Sequence, residues 1–122
     1  VAGGAAVACP DRRVIALQAD GSGMYTLQAL WTMARESLDI SVVVCSNRSY
    51  RILQVELARA GVAQPGPGAT SLTDLGHPDL DWVHLGRGMG VEGRRAETAD
   101  DLVDALRWSL STEGPSLVDV RL

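Results

Sequence analysis

The sequence predicts an α/β domain with a doubly wound, mainly parallel sheet and helices on both faces. Residues 14–17 and 40–45 form two short apolar runs bounded by turn residues, a pattern typical of buried strands. Between them, apolar residues recur at the spacing of one helical face: Leu27, Leu30, Trp31 and Ala34. Because strands that alternate with helices form right-handed βαβ units, this order favours a parallel sheet.

Local signals justify the elements of the first half. Residues 14–17 follow the turn Cys9-Pro10-Asp11, and their almost unbroken apolar character predicts a strand covered on both faces. A helix is expected over residues 25–36, followed by the β-branched strand 40–45. The next helical pattern covers residues 50–60, and Gly61 is a suitable C-terminal stop.

The second half continues the alternation after a long connection. Residues 61–78 hold three of the five prolines and four glycines, which predicts a mobile loop. A helix over residues 79–89 and a short strand over residues 91–96 follow. Thr98 is the expected N-cap of the last helix, because Asp100 and Asp101 stand in its first turn. Residues 117–120 predict a terminal strand.

The start of the sequence predicts that the chain is part of a longer polypeptide. It opens without an initiator Met, on small and apolar residues typical of the last turns of a helix. We therefore expect residues 1–122 to form a single, N-terminally truncated domain.

Composition excludes several classes of function. The net charge is −4 and the chain has eleven Arg, no Lys and no basic block, which disfavours a nucleic-acid partner. No apolar run approaches the roughly 20 residues of a membrane helix, and no signal peptide is apparent, so a cytoplasmic location and no membrane partner are expected. Cys9 and Cys45 are expected to be free structural thiols, with Cys45 buried.

Two polar clusters follow the first two predicted strands, Asp20-Gly21-Ser22 and Asn47-Arg48-Ser49. Because neighbouring parallel strands end at the same edge of a sheet, Asp20 and Asn47 would converge there. A carboxylate, an amide oxygen and a backbone carbonyl suit Mg²⁺, and Gly21 with Ser22 would let a phosphate approach the backbone. The same residues are also common in turns, and composition alone favours that simpler interpretation.

The stretch ADGSGMYTLQALWTMARESLDISVVVCSNRSY resembles the thiamine-diphosphate signature, in which Gly-Asp-Gly is followed some two dozen residues later by Asn. Here 25 residues separate Gly21 from Asn47. With its flanking segments GAAVACPDRRVIALQADGS and LDWVHLGRGMGV, nearly the whole chain is similar to the pyrophosphate-binding domain of 2-oxo acid decarboxylases and carboligases. The acetolactate synthase large subunit and benzoylformate decarboxylase are the groups that it resembles most.

The resemblance implies a thiamine-diphosphate-binding fold and a role for each residue of the signature. Side-chain oxygens of Asp20 and Asn47 and the backbone carbonyl of Ser49 would bind Mg²⁺, while Gly21 and Ser22 would contact the diphosphate. Four more residues would complete the cofactor site, the first three towards its thiazolium end: Gly23, Met24, Tyr25 and Tyr50. The sequence departs from the signature twice. Ala19 replaces the first Gly, which would reduce affinity, and Arg48 replaces the second Asn, which matters less.

The resemblance also implies what this chain lacks. In the family, a Glu on a pyrimidine-binding domain, often of a second subunit, activates the cofactor, so no catalytic residue is expected here and the chain alone would be inactive. A homodimer or homotetramer acting on a 2-oxo acid is implied, with an aromatic 2-oxo acid as an alternative substrate. A different hypothesis is a non-catalytic relative that serves as an assembly or binding module.

Other conspicuous residues are interpreted as structural. His77 and His84 have no Cys or carboxylate at zinc-ligand spacing and are expected to be structural or exposed to solvent. The glycines at positions 86, 88 and 90 follow a helical pattern, whereas a dinucleotide fingerprint follows a strand. Three tryptophans are assigned to core or interface packing: Trp31, Trp82 and Trp108.

Overall fold

The computed structural model describes all of residues 1–122 and confirms the predicted fold class. Four strands form one sheet in the order β1-β2-β4-β3, and every pair is parallel. The strands are β1 (Val14–Ala19), β2 (Ile40–Ser46), β3 (Glu92–Ala96) and β4 (Ser116–Arg121). The helices are α1 (Ala2–Ala8), α2 (Asp20–Gly23), α3 (Ala29–Arg35), α4 (Arg51–Arg59), α5 (Pro67–Thr73), α6 (Trp82–Gly88) and α7 (Ala99–Ser111).

Helices cover both faces of the sheet, as the sequence predicts. On one face α1, α3 and α6 enclose the larger apolar core, whose members are Ala6, Leu30, Met33, Ile40, Val42, Val44, Trp82, Val91 and Leu117. On the other face Ala105 of α7 packs with Val43, Ala96 and Val118 of the sheet in a smaller core. The two central strands, β2 and β4, are therefore the most deeply buried elements.

The prediction that the first strand is covered on both faces is wrong. β1 lies at the edge of the sheet, and its residues alternate between partly buried and exposed. Ile15 is 56% exposed and Leu17 76% exposed, because α7 packs on β3 and β4 and leaves this side of β1 open. An apolar run shows that residues form a strand, but it does not show where in the sheet the strand lies.

The predicted helix over residues 25–36 is in fact interrupted. α2 begins at Asp20, immediately after β1, and a 3₁₀ turn over Met24–Thr26 precedes α3. The chain thus turns into a helix at the candidate site itself, five residues earlier than predicted. The helix expected over residues 79–89 starts late, at Trp82, because the Asp81 carboxylate accepts a hydrogen bond from His84 N and caps it at this point.

The segment 61–78 is not a loop throughout, because α5 forms within it. Pro67 stands in the first turn of α5, where its missing N–H and fixed φ are tolerated, so this proline starts a helix instead of ending one. The mobility of this segment stays a prediction.

The remaining elements agree closely with the sequence. Thr98 caps α7 in a complete capping box with Asp101, and the terminal strand forms as expected. Cys9 and Cys45 are both free, although Cys45 is only partly buried. None of the helices combines the length and the apolar character that a membrane-spanning helix needs.

Candidate functional site at the carboxyl edge of the sheet

The two polar clusters that follow β1 and β2 are in direct contact. β1 pairs with β2 up to Ala19 opposite Cys45, so both strands end at the same level. The Asp20 Oδ2 atom accepts a hydrogen bond from the backbone N–H of Arg48 at 2.6 Å, and Oδ1 accepts one from Gly21 N at 2.8 Å. The structure therefore brings together the two halves of the predicted site.

Asp20 is buried without a counter-charge. Asp20 is only 2% exposed, yet it takes part in none of the ion pairs in the structure. A carboxylate has about four acceptor positions, and here two are filled by backbone N–H groups. Because burying a charge is costly unless it is paired or binds a metal, the remaining capacity of this carboxylate suits a cation.

The turn after β2 leaves the backbone carbonyls of Asn47 and Ser49 without hydrogen-bond partners. The Asn47 Oδ1 atom accepts a hydrogen bond from Ser49 N at 2.9 Å, which closes the turn. Arg48 adopts a left-handed φ of 56°, and its carbonyl accepts a hydrogen bond from Leu75 N. No hydrogen bond ends on the carbonyl oxygen of Ser49. An amide side chain and a free carbonyl thus belong to the turn whose Arg48 N–H contacts the buried carboxylate.

The glycines of the first cluster are packed against aromatic rings. A Cβ at Gly21 would lie 2.6 Å from the Tyr50 ring, and one at Gly23 would lie 2.7 Å from the Trp82 ring. Neither glycine could carry a side chain without moving its neighbour. This gives both glycines a packing role that the sequence did not suggest, and it places Tyr50 over the turn that holds Asp20.

Polar groups for an anion also lie at this edge. Ser22 lies in the first turn of α2, where backbone N–H groups have no partner within the helix. The Ser22 hydroxyl lies 2.9 Å from Gln18 Oε1 and 3.2 Å from the Ala19 carbonyl. Met24 and Tyr25 follow in the 3₁₀ turn and are exposed, at 38% and 79% respectively.

A group of residues that the sequence did not reveal supports the turn after β2. Ser49 Oγ donates to the Thr73 carbonyl at 3.2 Å and accepts from Gln54 Nε2 at 2.8 Å. Tyr50 N donates to the same Thr73 carbonyl, and Ser49 forms an isolated antiparallel bridge with Asp74. Nothing in the local sequence identifies these partners, because they come from helices α4 and α5.

A second buried aspartate lies at the same edge and was also not anticipated. Asp119 on β4 is fully buried, and its Oδ1 atom accepts a hydrogen bond from Ser46 Oγ at 2.6 Å. Its Oδ2 atom lies 3.3 Å from Arg95 Nε and 3.1 Å from Arg121 Nε. This carboxylate is already compensated by two guanidinium groups.

The two histidines lie outside this cluster, as expected. His77 and His84 have side chains 90% and 77% exposed, and each pairs with an aspartate three residues earlier. The backbone N–H of His84 is the main reason why the pKa of Asp81 falls from 3.8 to about 2. The chain has no group of three or more His, Cys, Asp or Glu side chains placed to hold a metal ion. Any metal here would need amide and carbonyl oxygens in addition to Asp20.

The comparison with known families matches almost the entire chain. Residues 1–120 match the family described as "Thiamine pyrophosphate enzyme, C-terminal TPP binding domain". Thiamine pyrophosphate is another name for thiamine diphosphate.

Relatives with similar sequences are much longer than this chain. The "Putative acetolactate synthase large subunit IlvX" of Mycobacterium tuberculosis is 48% identical over 118 residues, which are 96% of this chain and 23% of that protein. Benzoylformate decarboxylase of Pseudomonas aeruginosa is 36% identical over 117 residues, 96% of this chain and 21% of that protein. The chain thus spans less than a quarter of the length of these two relatives.

Solved structures give the same picture. The thiamine diphosphate-dependent 4-hydroxybenzoylformate decarboxylase of Rhodococcus jostii RHA1 superposes with a TM-score of 0.87 at 35% identity, over 98% of this chain and 21% of that one. Benzoylformate decarboxylase of Polynucleobacter necessarius superposes with a TM-score of 0.81 at 32% identity, over 99% and 22% of the two chains.

Proposed function

Because this chain belongs to the family of C-terminal thiamine pyrophosphate-binding domains, we propose that it binds the diphosphate end of thiamine diphosphate through Mg²⁺. In this proposal residues 1–122 act as a single cofactor-binding domain. The buried Asp20 carboxylate, which has two backbone donors and no counter-charge, is the observation that carries the proposal.

The metal would be held by oxygen atoms alone. Asp20 supplies the charge, the Asn47 amide oxygen a neutral ligand, and the Ser49 carbonyl is free to act as the third. Mg²⁺ prefers about six oxygen ligands at roughly 2.1 Å and usually keeps phosphate or water among them. A single carboxylate therefore suffices when the diphosphate brings its own negative charge.

The residues after Asp20 would hold the rest of the cofactor. We assign Gly21 and Ser22 to the diphosphate, since backbone N–H groups in the first turn of a helix can donate to phosphate oxygens. We assign four further residues to the remainder of the site: Gly23, Met24, Tyr25 and Tyr50. Tyr50 would act mainly by packing on Gly21, which fixes the turn beneath the diphosphate.

The activity of the whole protein is a further part of the proposal. We propose that the gene product decarboxylates a 2-oxo acid, and protonates the product or transfers it to a second carbonyl compound, as a cytoplasmic homodimer or homotetramer. The bound cofactor would supply the electron sink for this chemistry. This chain would contribute no catalytic residue, so it would need a pyrimidine-binding domain of the same or a second subunit and would be inactive alone.

One observation weakens the alternative of a non-catalytic module. Two features of the sequence motivate that alternative: the missing upstream segment, and Ala19, which stands where the family signature has its first Gly. Ala19 has φ −90° and ψ 151°, an extended conformation open to any residue. The backbone conformation at this position therefore does not require glycine, so backbone strain at Ala19 gives no reason to expect the loss of cofactor binding.

The proposal is tested by calorimetric titration of the natural gene product with thiamine diphosphate, in Mg²⁺ and in a chelator. We expect Asp20→Asn to weaken Mg²⁺-dependent binding by about 100-fold or more, since the only charged ligand is lost, and Asn47→Ala by about tenfold. Asp39→Asn is the control, because this partly buried carboxylate pairs with Arg13 and Asp39 precedes β2, at the opposite end of the sheet. Wild-type affinity in both site variants would contradict the proposal.

A further inference from the structure

The segment between α5 and α6, residues 74–81, lies against the turn that carries Ser49. Leu75 N donates to the Arg48 carbonyl at 2.9 Å, next to the antiparallel bridge between Ser49 and Asp74. The Leu75 side chain also reaches within 3.5 Å of the position where a Gly21 Cβ would stand. The 74–81 segment thus contacts both clusters of the candidate site at its beginning.

At its other end this segment is bound to the sheet through Arg121. Arg121, at the end of β4, donates from Nη1 to Asp79 Oδ1 at 2.9 Å and from Nη2 to the Leu80 carbonyl at 3.2 Å. Its Nε donates to the buried Asp119 at 3.1 Å. The Arg121 side chain is only 13% exposed, so its three contacts fix the guanidinium in one orientation.

The charges around Arg121 favour this arrangement. The hydrogen bond from Arg121 holds the pKa of the Asp79 carboxyl below its ordinary value of 3.8. Arg95 lies 3.2 Å from Asp81 Oδ2, which adds a second ion pair between the segment and the sheet. Ser46, the residue directly before Asn47, donates to Asp119, so the same network also reaches the end of β2.

We infer that Arg121 is a positioning residue for the metal site. Through Asp79 and the Leu80 carbonyl it would hold the 74–81 segment against the Arg48–Ser49 turn. That contact keeps the Arg48 carbonyl occupied by Leu75 N and leaves the Ser49 carbonyl free for Mg²⁺. The role at the metal rests on the proposed function. The contact between the 74–81 segment and the Arg48–Ser49 turn does not depend on any ligand.

The first test measures, without cofactor, whether the 74–81 segment stabilises the Arg48–Ser49 turn. Asp79→Asn removes the charge that Arg121 contacts, at a side chain 48% exposed, so the fold should survive. Asp104→Asn is the matched control, because Asp104 pairs with Arg107 on the exposed side of α7 at 3.3 Å. By hydrogen exchange and mass spectrometry of the natural gene product, we expect the amides of Tyr50 and Leu75 to exchange about tenfold faster in Asp79→Asn only.

The second test measures the consequence for the metal. At saturating thiamine diphosphate, the Mg²⁺ concentration for half-maximal binding should rise several-fold in Asp79→Asn and stay at the wild-type value in Asp104→Asn. Asp79→Glu, which keeps the charge, should restore at least part of the loss. If Asp79 served only the stability of the fold, the Mg²⁺ concentration for half-maximal binding would be the same in the wild type, Asp79→Asn and Asp79→Glu.

The outcomes separate this inference from the proposed function. Equal exchange of Tyr50 and Leu75 in the two asparagine variants would overturn the inference. Faster exchange with an unchanged Mg²⁺ requirement would overturn the link to the metal. If the wild-type protein bound no thiamine diphosphate, the proposed function would fail, and the exchange rates would still decide whether Asp79 holds the turn.

Discussion

Two buried aspartates at the carboxyl edge of the sheet have opposite surroundings. Asp119 on β4 is surrounded by donors, with the Ser46 hydroxyl on one oxygen and the Arg95 and Arg121 guanidinium groups on the other. Asp20 after β1 is equally hidden from solvent but meets only two backbone N–H groups. The protein thus supplies two guanidinium groups to Asp119 and no positively charged side chain to Asp20.

This difference separates a structural carboxylate from a candidate ligand. Burying an isolated carboxylate costs several kcal/mol, so a charge that serves the fold needs partners within the fold. Asp119 meets this condition and joins β4 to the 74–81 segment through Arg121. Asp20 lacks a cation of its own, which is what we expect when an exogenous cation completes its surroundings.

The largest effect should come from neutralising the structural carboxylate. We expect Asp119→Asn to lower the free energy of unfolding by about 3–5 kcal/mol, because Arg95 and Arg121 lose their shared buried partner. Urea denaturation of the natural gene product in a chelator measures this change. Asp20→Asn, measured the same way, should cost about 1 kcal/mol or less, since no cation is left unpaired.

Two measurements test this difference between Asp20 and Asp119. Equal losses of stability in Asp119→Asn and Asp20→Asn would mean that Asp20 also serves the fold. In a second measurement, Mg²⁺ and thiamine diphosphate are added, because a ligand that binds the folded protein raises its free energy of unfolding. We expect this gain in the wild type and its absence in Asp20→Asn.

From the sequence, Asp20 could be placed at the carboxyl edge of the sheet, whereas Asp119 could not. Asp20 directly follows a recognisable apolar strand and stands in a signature with fixed spacing to Asn47. Asp119 lies within a strand, and two of its three partners, Ser46 and Arg95, are 73 and 24 residues away along the chain. No local pattern joins those positions, because only the strand order β1-β2-β4-β3 makes β2 and β3 neighbours of β4.

The same limit explains the errors in the fold. The strand, helix and strand order could be predicted because periodicity is a local property of the chain. The exposure of Leu17 could not, since it depends on which strands α7 covers. The helix at Pro67 was missed for another reason: proline is compatible with both a turn and the first turn of a helix, and the local sequence did not distinguish them.

A smaller effect is expected when the packing around Asp20 is disturbed. In Gly21→Ala the new Cβ would meet the Tyr50 ring at 2.6 Å, so we expect a loss of about 1–3 kcal/mol in the free energy of unfolding and weaker cofactor binding. Gly68→Ala in α5 is the matched control, because nothing lies within 4 Å of its Cβ position. This control should be neutral or stabilising by up to about 1 kcal/mol. Similar stability in both variants would show that Tyr50 moves aside easily.

The smallest expected effect concerns the backbone of the turn that contacts Asp20. Arg48 has φ 56°, a left-handed conformation that Asn adopts more readily than Arg, and Ser37 at the end of α3 has φ 48°. We expect Arg48→Asn and Ser37→Asn each to raise the free energy of unfolding by about 0.5–1 kcal/mol, measured by urea denaturation.

Of these two positions only Arg48 borders the candidate site, so cofactor binding by the two variants shows whether the Arg48 side chain affects the site. The Arg48 carbonyl is already occupied by Leu75 N, and its N–H donates to Asp20 whatever the side chain is. The Mg²⁺ requirement for thiamine diphosphate binding should therefore stay unchanged in both variants. A lower Mg²⁺ requirement in Arg48→Asn alone would show that the arginine side chain itself opposes the metal, and that Asp20 is not the sole charge governing this site.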